Sequence, residues 1–117
     1  MQAIDRTLGP LALEQIVRFS GAVQDFNPIH YDEAFAEAAG LPGIIAQGPL
    51  TYLLALDALV AANGVERIGS FAVRLKAPVQ PGALLSVSCT EDGKVSLKAG
   101  DAEALAGTAT GAEESAR

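Results

Sequence analysis

An α+β fold, a curved antiparallel sheet of about five strands wrapped around one central helix, is what this sequence predicts. Three observations lead there. Residues 49–63, PLTYLLALDALVAAN, are apolar on nearly every side at helical spacing, and a helix of that kind has to be enclosed. The second half of the chain alternates apolar and polar residues in short runs punctuated by Pro81-Gly82 and Asp92-Gly93, the pattern of strands joined by tight turns. The first half reads instead as helices and turns.

The elements follow in order. A short strand over about residues 2–7 is available to complete the sheet. Segment 13–23, LEQIVRFSGAV, places Leu13, Ile16, Val17 and Ser20 on one side of a helix, with Gly21 weakening its end. A loop spans 24–31. Asp32 then caps a short helix in EAFAEAA, which stops at Gly40 with Pro42 just beyond. In the central helix Pro49 suits the first position, where its missing N–H costs nothing, and Gly64 ends the element. Leu50, Leu53, Leu54, Leu56, Leu59 and Val60 are spread around it. Strands are expected over roughly 67–79, 84–91, 94–100 and 103–110. The first of these sets Phe71, Val73 and Leu75 against Ala72, Arg74 and Lys76, and Asp92-Gly93 is a hairpin signal. No repeat or linker divides the chain, so residues 1–117 form a single domain, with about 111–117 a frayed tail.

Composition narrows the function. With 117 residues, 50% hydrophobic and 19% charged, the chain can bury a core and is not disordered. A net charge of −6, without basic runs or interleaved aromatics, excludes nucleic acid as the expected partner. The lone Cys89 rules out an internal disulfide, and no metal cluster is offered. It sits in LLSVSCTED, a strand-like run, and the chain holds no second histidine to activate it, so it is read as a packing residue. The start MQAIDRTLG lacks a charged segment followed by an apolar one, and the longest apolar run, LTYLLALDALVAA, is too short to span a bilayer and carries Asp57. A cytoplasmic protein without a membrane span is expected.

The one histidine, His30, stands in the loop QDFNPIHYDEAF, residues 24–35, shortly after Asp25. Pro28 stiffens that loop and holds Asn27 extended. A carboxylate and an imidazole so placed can work as an acid/base pair, and loops on a rigid scaffold are where such groups concentrate. The same residues also fit an Asx turn, a bend and a space-filling ring, and spacing leaves both readings open. A second feature is Gly48, immediately before the central helix. The unpaired N–H groups of a helix start, with glycine allowing close approach, can stabilise a carbonyl oxygen. A plain capping glycine fits as well.

Taken together, SGAVQDFNPIHYDEAFAEAAGLPGIIAQGPL resembles the signature of the MaoC-like, (R)-specific enoyl-thioester hydratases and dehydratases, which have a hot-dog fold. The family's Asp-x-Asn-Pro-x-His core is complete in Asp25-Phe26-Asn27-Pro28-Ile29-His30, and FAVRLKAPVQPGALL is similar to its strand-turn-strand stretch. The resemblance covers about residues 8–110. It implies syn addition of water to a trans-2-enoyl thioester, giving an (R)-3-hydroxyacyl thioester, or the reverse dehydration. By that resemblance Asp25 and His30 carry catalysis, Asn27 supports the loop, and the Gly48 amide forms the oxyanion hole. No cofactor is implied beyond coenzyme A or acyl-carrier protein as part of the substrate. Arg74 and Lys76 are candidate contacts for the carrier phosphate, although a pair of charges on an exposed strand is more often a solvated face. Two residues depart from the family pattern. Gln24 replaces a frequent glycine before the aspartate, which stiffens the loop, and Gln47 replaces a frequent histidine before Gly48, which bears on substrate fit and not on activity.

Two other classes compete with the enzyme: a non-catalytic or partner-dependent subunit of a hot-dog heterodimer, and a hot-dog thioesterase. The intact Asp25 and His30 count against the former, and the Asn-Pro-x-His core is not the mark of the latter. A sheet wrapped on one helix leaves an edge strand and an open helix face, so a dimer that continues the sheet is expected, as a homodimer or a heterodimer.

Overall fold

The computed structural model describes residues 1–115. Its elements run β1 (Ile4–Pro10), α1 (Leu13–Val23), α2 (Glu33–Ala38), α3 (Gly48–Asn63), β2 (Ile68–Leu75), β3 (Leu84–Cys89), β4 (Lys94–Ala99), β5 (Ala102–Gly111) and α4 (Ala112–Ser115). One five-stranded antiparallel sheet has the order β1-β3-β4-β5-β2. β3, β4 and β5 follow one another as hairpins, while β1 and β2 occupy the two edges, β2 beside β5 and β1 beside β3. The predicted α+β architecture is the observed one.

Local chemistry explains most boundaries. The Asp32 carboxylate accepts the Phe35 N–H at 3.1 Å and starts α2. At the β3–β4 hairpin Gly93 adopts φ 88°, which the Asp92-Gly93 turn requires. Helix α3 begins one residue earlier than expected, at Gly48, so Pro49 takes the second helical position. A residue before proline is ordinarily driven out of the helical region by its own Cβ, and glycine escapes that clash. The strand β1 lies later than expected because its partner, β3, offers register from Ile4↔Cys89 through Pro10↔Leu84. Strand β2 stops at Leu75, short of the predicted 79, as the chain turns away toward Val79, whose carbonyl is taken by Ala46 at 2.7 Å. Of the span 111–117 expected as a tail, Gly111 belongs to β5 and Ala112–Ser115 form a helical turn, while 116–117 lie outside the described residues.

The core lies between α3 and the inner sheet face. Leu50, Ala55, Ala58 and Leu59 of α3 pack with Leu85, Val87 and Cys89 of β3, Val95 and Leu97 of β4, and Leu105 and Ala109 of β5. Between Leu97 and Lys98 the β4–β5 register shifts, and this irregularity lets Ala104 and Leu105 both turn inward. The helix is not enclosed on all sides. Leu53 stays 45% exposed, because one sheet covers one side of it. On α1 only Ile16 and Ser20 are buried, whereas Leu13 and Val17, expected on the same face, remain open. No helix among the described residues is long and apolar enough to cross a membrane.

Cys89 faces the core at 3% exposure, and burial pushes its thiol up from the ordinary range. The folded chain is therefore expected to leave a disulfide reagent such as dithionitrobenzoate unreacted over minutes, and to titrate one thiol once denatured. A rapid native reaction would contradict the packing role.

Candidate active site

The loop after α1 is held at every turn by its own hydrogen bonds. The Ser20 carbonyl ends α1 by accepting the Gln24 and Asp25 amides, the latter at 3.0 Å. Asn27 folds an Asx turn, its Oδ1 accepting the Ile29 N–H at 3.2 Å, while its own N–H donates to Asp25 Oδ1 at 3.3 Å. Pro28–His30 make a short 3-10 turn, and the Tyr31 hydroxyl closes the loop on the Phe26 carbonyl at 2.9 Å.

This framework brings Asp25 and His30 together. Nε2 of His30 lies 3.3 Å from Asp25 Oδ2, with the histidine side chain 8% and the aspartate side chain 42% exposed. The other ring nitrogen, Nδ1, is 2.8 Å from the Ile45 carbonyl. A carbonyl can only accept, so Nδ1 carries a hydrogen and Nε2 is the nitrogen turned toward the carboxylate. The Ile45 N–H in turn donates to the Ile29 carbonyl at 3.1 Å, so residue 45 clamps the loop through both backbone groups. A half-open carboxylate beside a buried, oriented imidazole can bind a water and pass protons.

Two residues further on, Gln47 caps α3. It is 1% exposed, and its Nε2 donates to the Ile16 carbonyl at 2.8 Å and to Ser20 Oγ at 2.7 Å. Its Oε1 has no hydrogen-bond partner among the described residues. Gly48 follows as the first helical residue, and its amide has no acceptor within the helix. A Cβ built on Gly48 would stand 2.6 Å from Leu75 Cδ1, so the half-exposed Leu75 packs closely over this glycine.

A family model described as MaoC like domain matches residues 2–112. The chain belongs to that MaoC-like family. It is 34% identical over 73 residues, 60% of its length, to "Enoyl-CoA hydratase ChsH3" of Mycobacterium tuberculosis. The chain spans only 4–26% of the curated relatives it matches. Among solved structures it superposes with a TM-score of 0.77 on the "(R)-hydratase from A. caviae involved in PHA biosynthesis", at 22% identity, covering 92% of this chain and 91% of that one. The "ChsH1-ChsH2 complex from Mycobacterium tuberculosis" gives a TM-score of 0.76 at 22% identity, covering 91% and 90%. These two likenesses establish the hot-dog fold.

Gln24, where MaoC-like chains often have glycine, adopts φ 57° and ψ 37°, the left-handed region. A side chain there costs about 1–2 kcal/mol, partly offset by the extra freedom glycine has when unfolded. Gln24→Gly is expected to stabilise the fold by about 0.5–1 kcal/mol in a denaturant melt. A loss of stability would mean that the side chain makes a contact worth more than the strain.

Arg74 and Lys76 differ in their surroundings. Lys76 Nζ pairs with Glu103 at 2.7 Å, and this bond, with one from Ser96 Oγ, holds the Glu103 carboxyl below its ordinary range. Arg74 is exposed and has no ion pair among the described residues. It borders a shallow groove on the sheet with Lys94, Ser96, Glu103 and Thr108. Sequence reasoning singled out Asp25, Asn27, His30 and Gly48 as candidates, but missed the Ile45 carbonyl and the Ser20–Gln47 bond. The first has no signature in residue type. For the second, a glutamine set directly before an apolar helix is a signal, since a polar side chain there has to find a buried partner.

Proposed function

We propose that this chain adds water to a trans-2-enoyl thioester, giving the (R)-3-hydroxyacyl thioester, or runs the reverse dehydration. The observation that carries this reading is the Asp25–His30 pair at 3.3 Å, with Nδ1 committed to Ile45 and Nε2 facing the carboxylate. The Asp25 carboxylate and His30 Nε2 hold one water between them. As its oxygen bonds to the β-carbon, the pair takes one proton from it. A proton returns from the pair to the α-carbon on the same face, so the net change is addition of H and OH across the double bond.

Negative charge that gathers on the thioester oxygen during attack meets the Gly48 amide at the positive end of α3. Asn27 supports the pair through its Asx turn and its N–H to Asp25. The thioester carrier, coenzyme A or acyl-carrier protein, belongs to the substrate, and no further cofactor is needed. Of the two cations, Arg74 is the better candidate for its phosphate, because Glu103 already occupies Lys76.

The strand β2 is an open sheet edge and Leu53 an uncovered part of α3, which favours a dimer that extends the sheet. A second reading, in which the chain works only with a different subunit, is favoured by its overlap with a solved two-component complex. The test is loss of enoyl absorbance when the purified chain alone meets crotonyl-coenzyme A and longer enoyl homologues. Rapid loss without release of free thiol supports the hydratase. No loss with any of them moves the assignment to the partner-dependent form, and free thiol would move it to a thioesterase.

A further inference from the structure

We propose that Gln47 is a positioning residue, which sets the separation between the Asp25–His30 pair and the Gly48 amide. The inference rests on the hydratase reading and adds to it a residue that touches neither substrate nor the reacting atoms. Its side chain is buried at 1% exposure and spans from the start of α3 to the middle of α1, between Ile16 and Ser20. There Nε2 holds the Ile16 carbonyl at 2.8 Å and Ser20 Oγ at 2.7 Å. Ser20 is the residue whose carbonyl accepts the Asp25 amide at 3.0 Å, so the carboxylate hangs from the position that Gln47 grips. On its other side, the Gln47 carbonyl accepts the Thr51 N–H at 3.2 Å, and Gly48 is its chain neighbour. With Ile45 orienting the imidazole from the same short segment, residues 45–48 tie both halves of the chemistry together.

The Gln47 Oε1, without a partner among the described residues, supports this reading. A buried acceptor left without a donor is unfavourable, and an apolar side chain of like size would avoid that loss. The Ile16 carbonyl also fixes which end of the carboxamide is which, because an oxygen turned toward it would repel. Gln47 therefore serves geometry where a hydrophobic residue would serve packing, and its removal should part the two effects.

The experiment compares Gln47→Leu and Ser20→Ala with the parent chain on crotonyl-coenzyme A, alongside thermal melting and amide resonances of the free proteins. Gln47→Leu is expected to melt at or above the parent temperature, to keep its KM, and to lose kcat by about 10- to 100-fold, the effect of a misplacement on the order of 1 Å. Ser20→Ala, which removes one of the two bonds and guards against a Gln47 variant that fails to fold, is expected to lose kcat by a smaller factor with KM kept. The resonances of Asp25, His30 and Gly48 should shift together while those of β3 and β4 stay. A parent-like kcat in both variants, or unmoved resonances at these three residues, overturns the inference and leaves the hydratase reading intact. An inactive parent chain overturns the reading itself, and the inference with it.

Discussion

Asp25→Asn is expected to slow hydration of crotonyl-coenzyme A by about 10²–10⁴-fold, the range that a positioned acid/base group contributes, with little change in melting temperature. The two halves of that expectation come from different observations. Asparagine keeps the shape of the side chain and an oxygen able to accept the Asn27 N–H, which lies at 3.3 Å. At 42% exposure the carboxylate contributes little to packing, so the fold has no reason to suffer. The carboxamide, however, cannot take a proton from water and offers no charge to the imidazole. Replacing His30 instead would be a less clean test. Its ring is 8% exposed and donates to the Ile45 carbonyl, so truncation leaves both a cavity and an unpaired acceptor. The measurement is the initial rate of absorbance loss at saturating thioester, with melting followed by circular dichroism. A variant within threefold of the parent rate would remove Asp25 from the chemistry.

Leu59→Ala should have the largest effect on stability, about 2–5 kcal/mol in a urea melt, the usual span for truncating a buried leucine. For a domain of this size that is a fall of roughly 8–20 °C in melting temperature. Leu59 is 0% exposed and shares the central cluster with Val87, Leu97 and Leu105, each also 0% exposed. Strands on a hydrogen-bonded ladder cannot move inward to fill the space, so the cavity persists. Because domains are stable by only about 5–15 kcal/mol, this single change takes up a large share of the total. A cost below about 1 kcal/mol would mean that α3 can settle onto the sheet, and that the core is looser than its burial implies.

Much of this was legible in the residues. The span 13–23 of α1, the Asp32 cap and the Asp92-Gly93 turn all rest on contacts between near neighbours in the chain, and so they leave a local pattern. The Asp25-Phe26-Asn27-Pro28-Ile29-His30 core is legible for the same reason, because its Asx turn and its short helical turn close within a few residues. Less legible was which apolar residues end up covered. Leu13, Val17 and Leu53 have the pattern of core residues and yet stay open, since burial depends on whether another element reaches them.

From pattern alone came the fold class, a sheet against one apolar helix, and the pair of residues to suspect. The tertiary structure decided how that pair is held. The Ile45 carbonyl reaches His30 across 15 positions, and Gln47 reaches Ser20 across 27 and Ile16 across 31. Two of those three acceptors are backbone carbonyls, which every residue possesses, so no choice of amino acid announces them. Which carbonyl meets which side chain is set only when α1 and the start of α3 pack together, and that packing orients the imidazole and fixes where the carboxylate hangs.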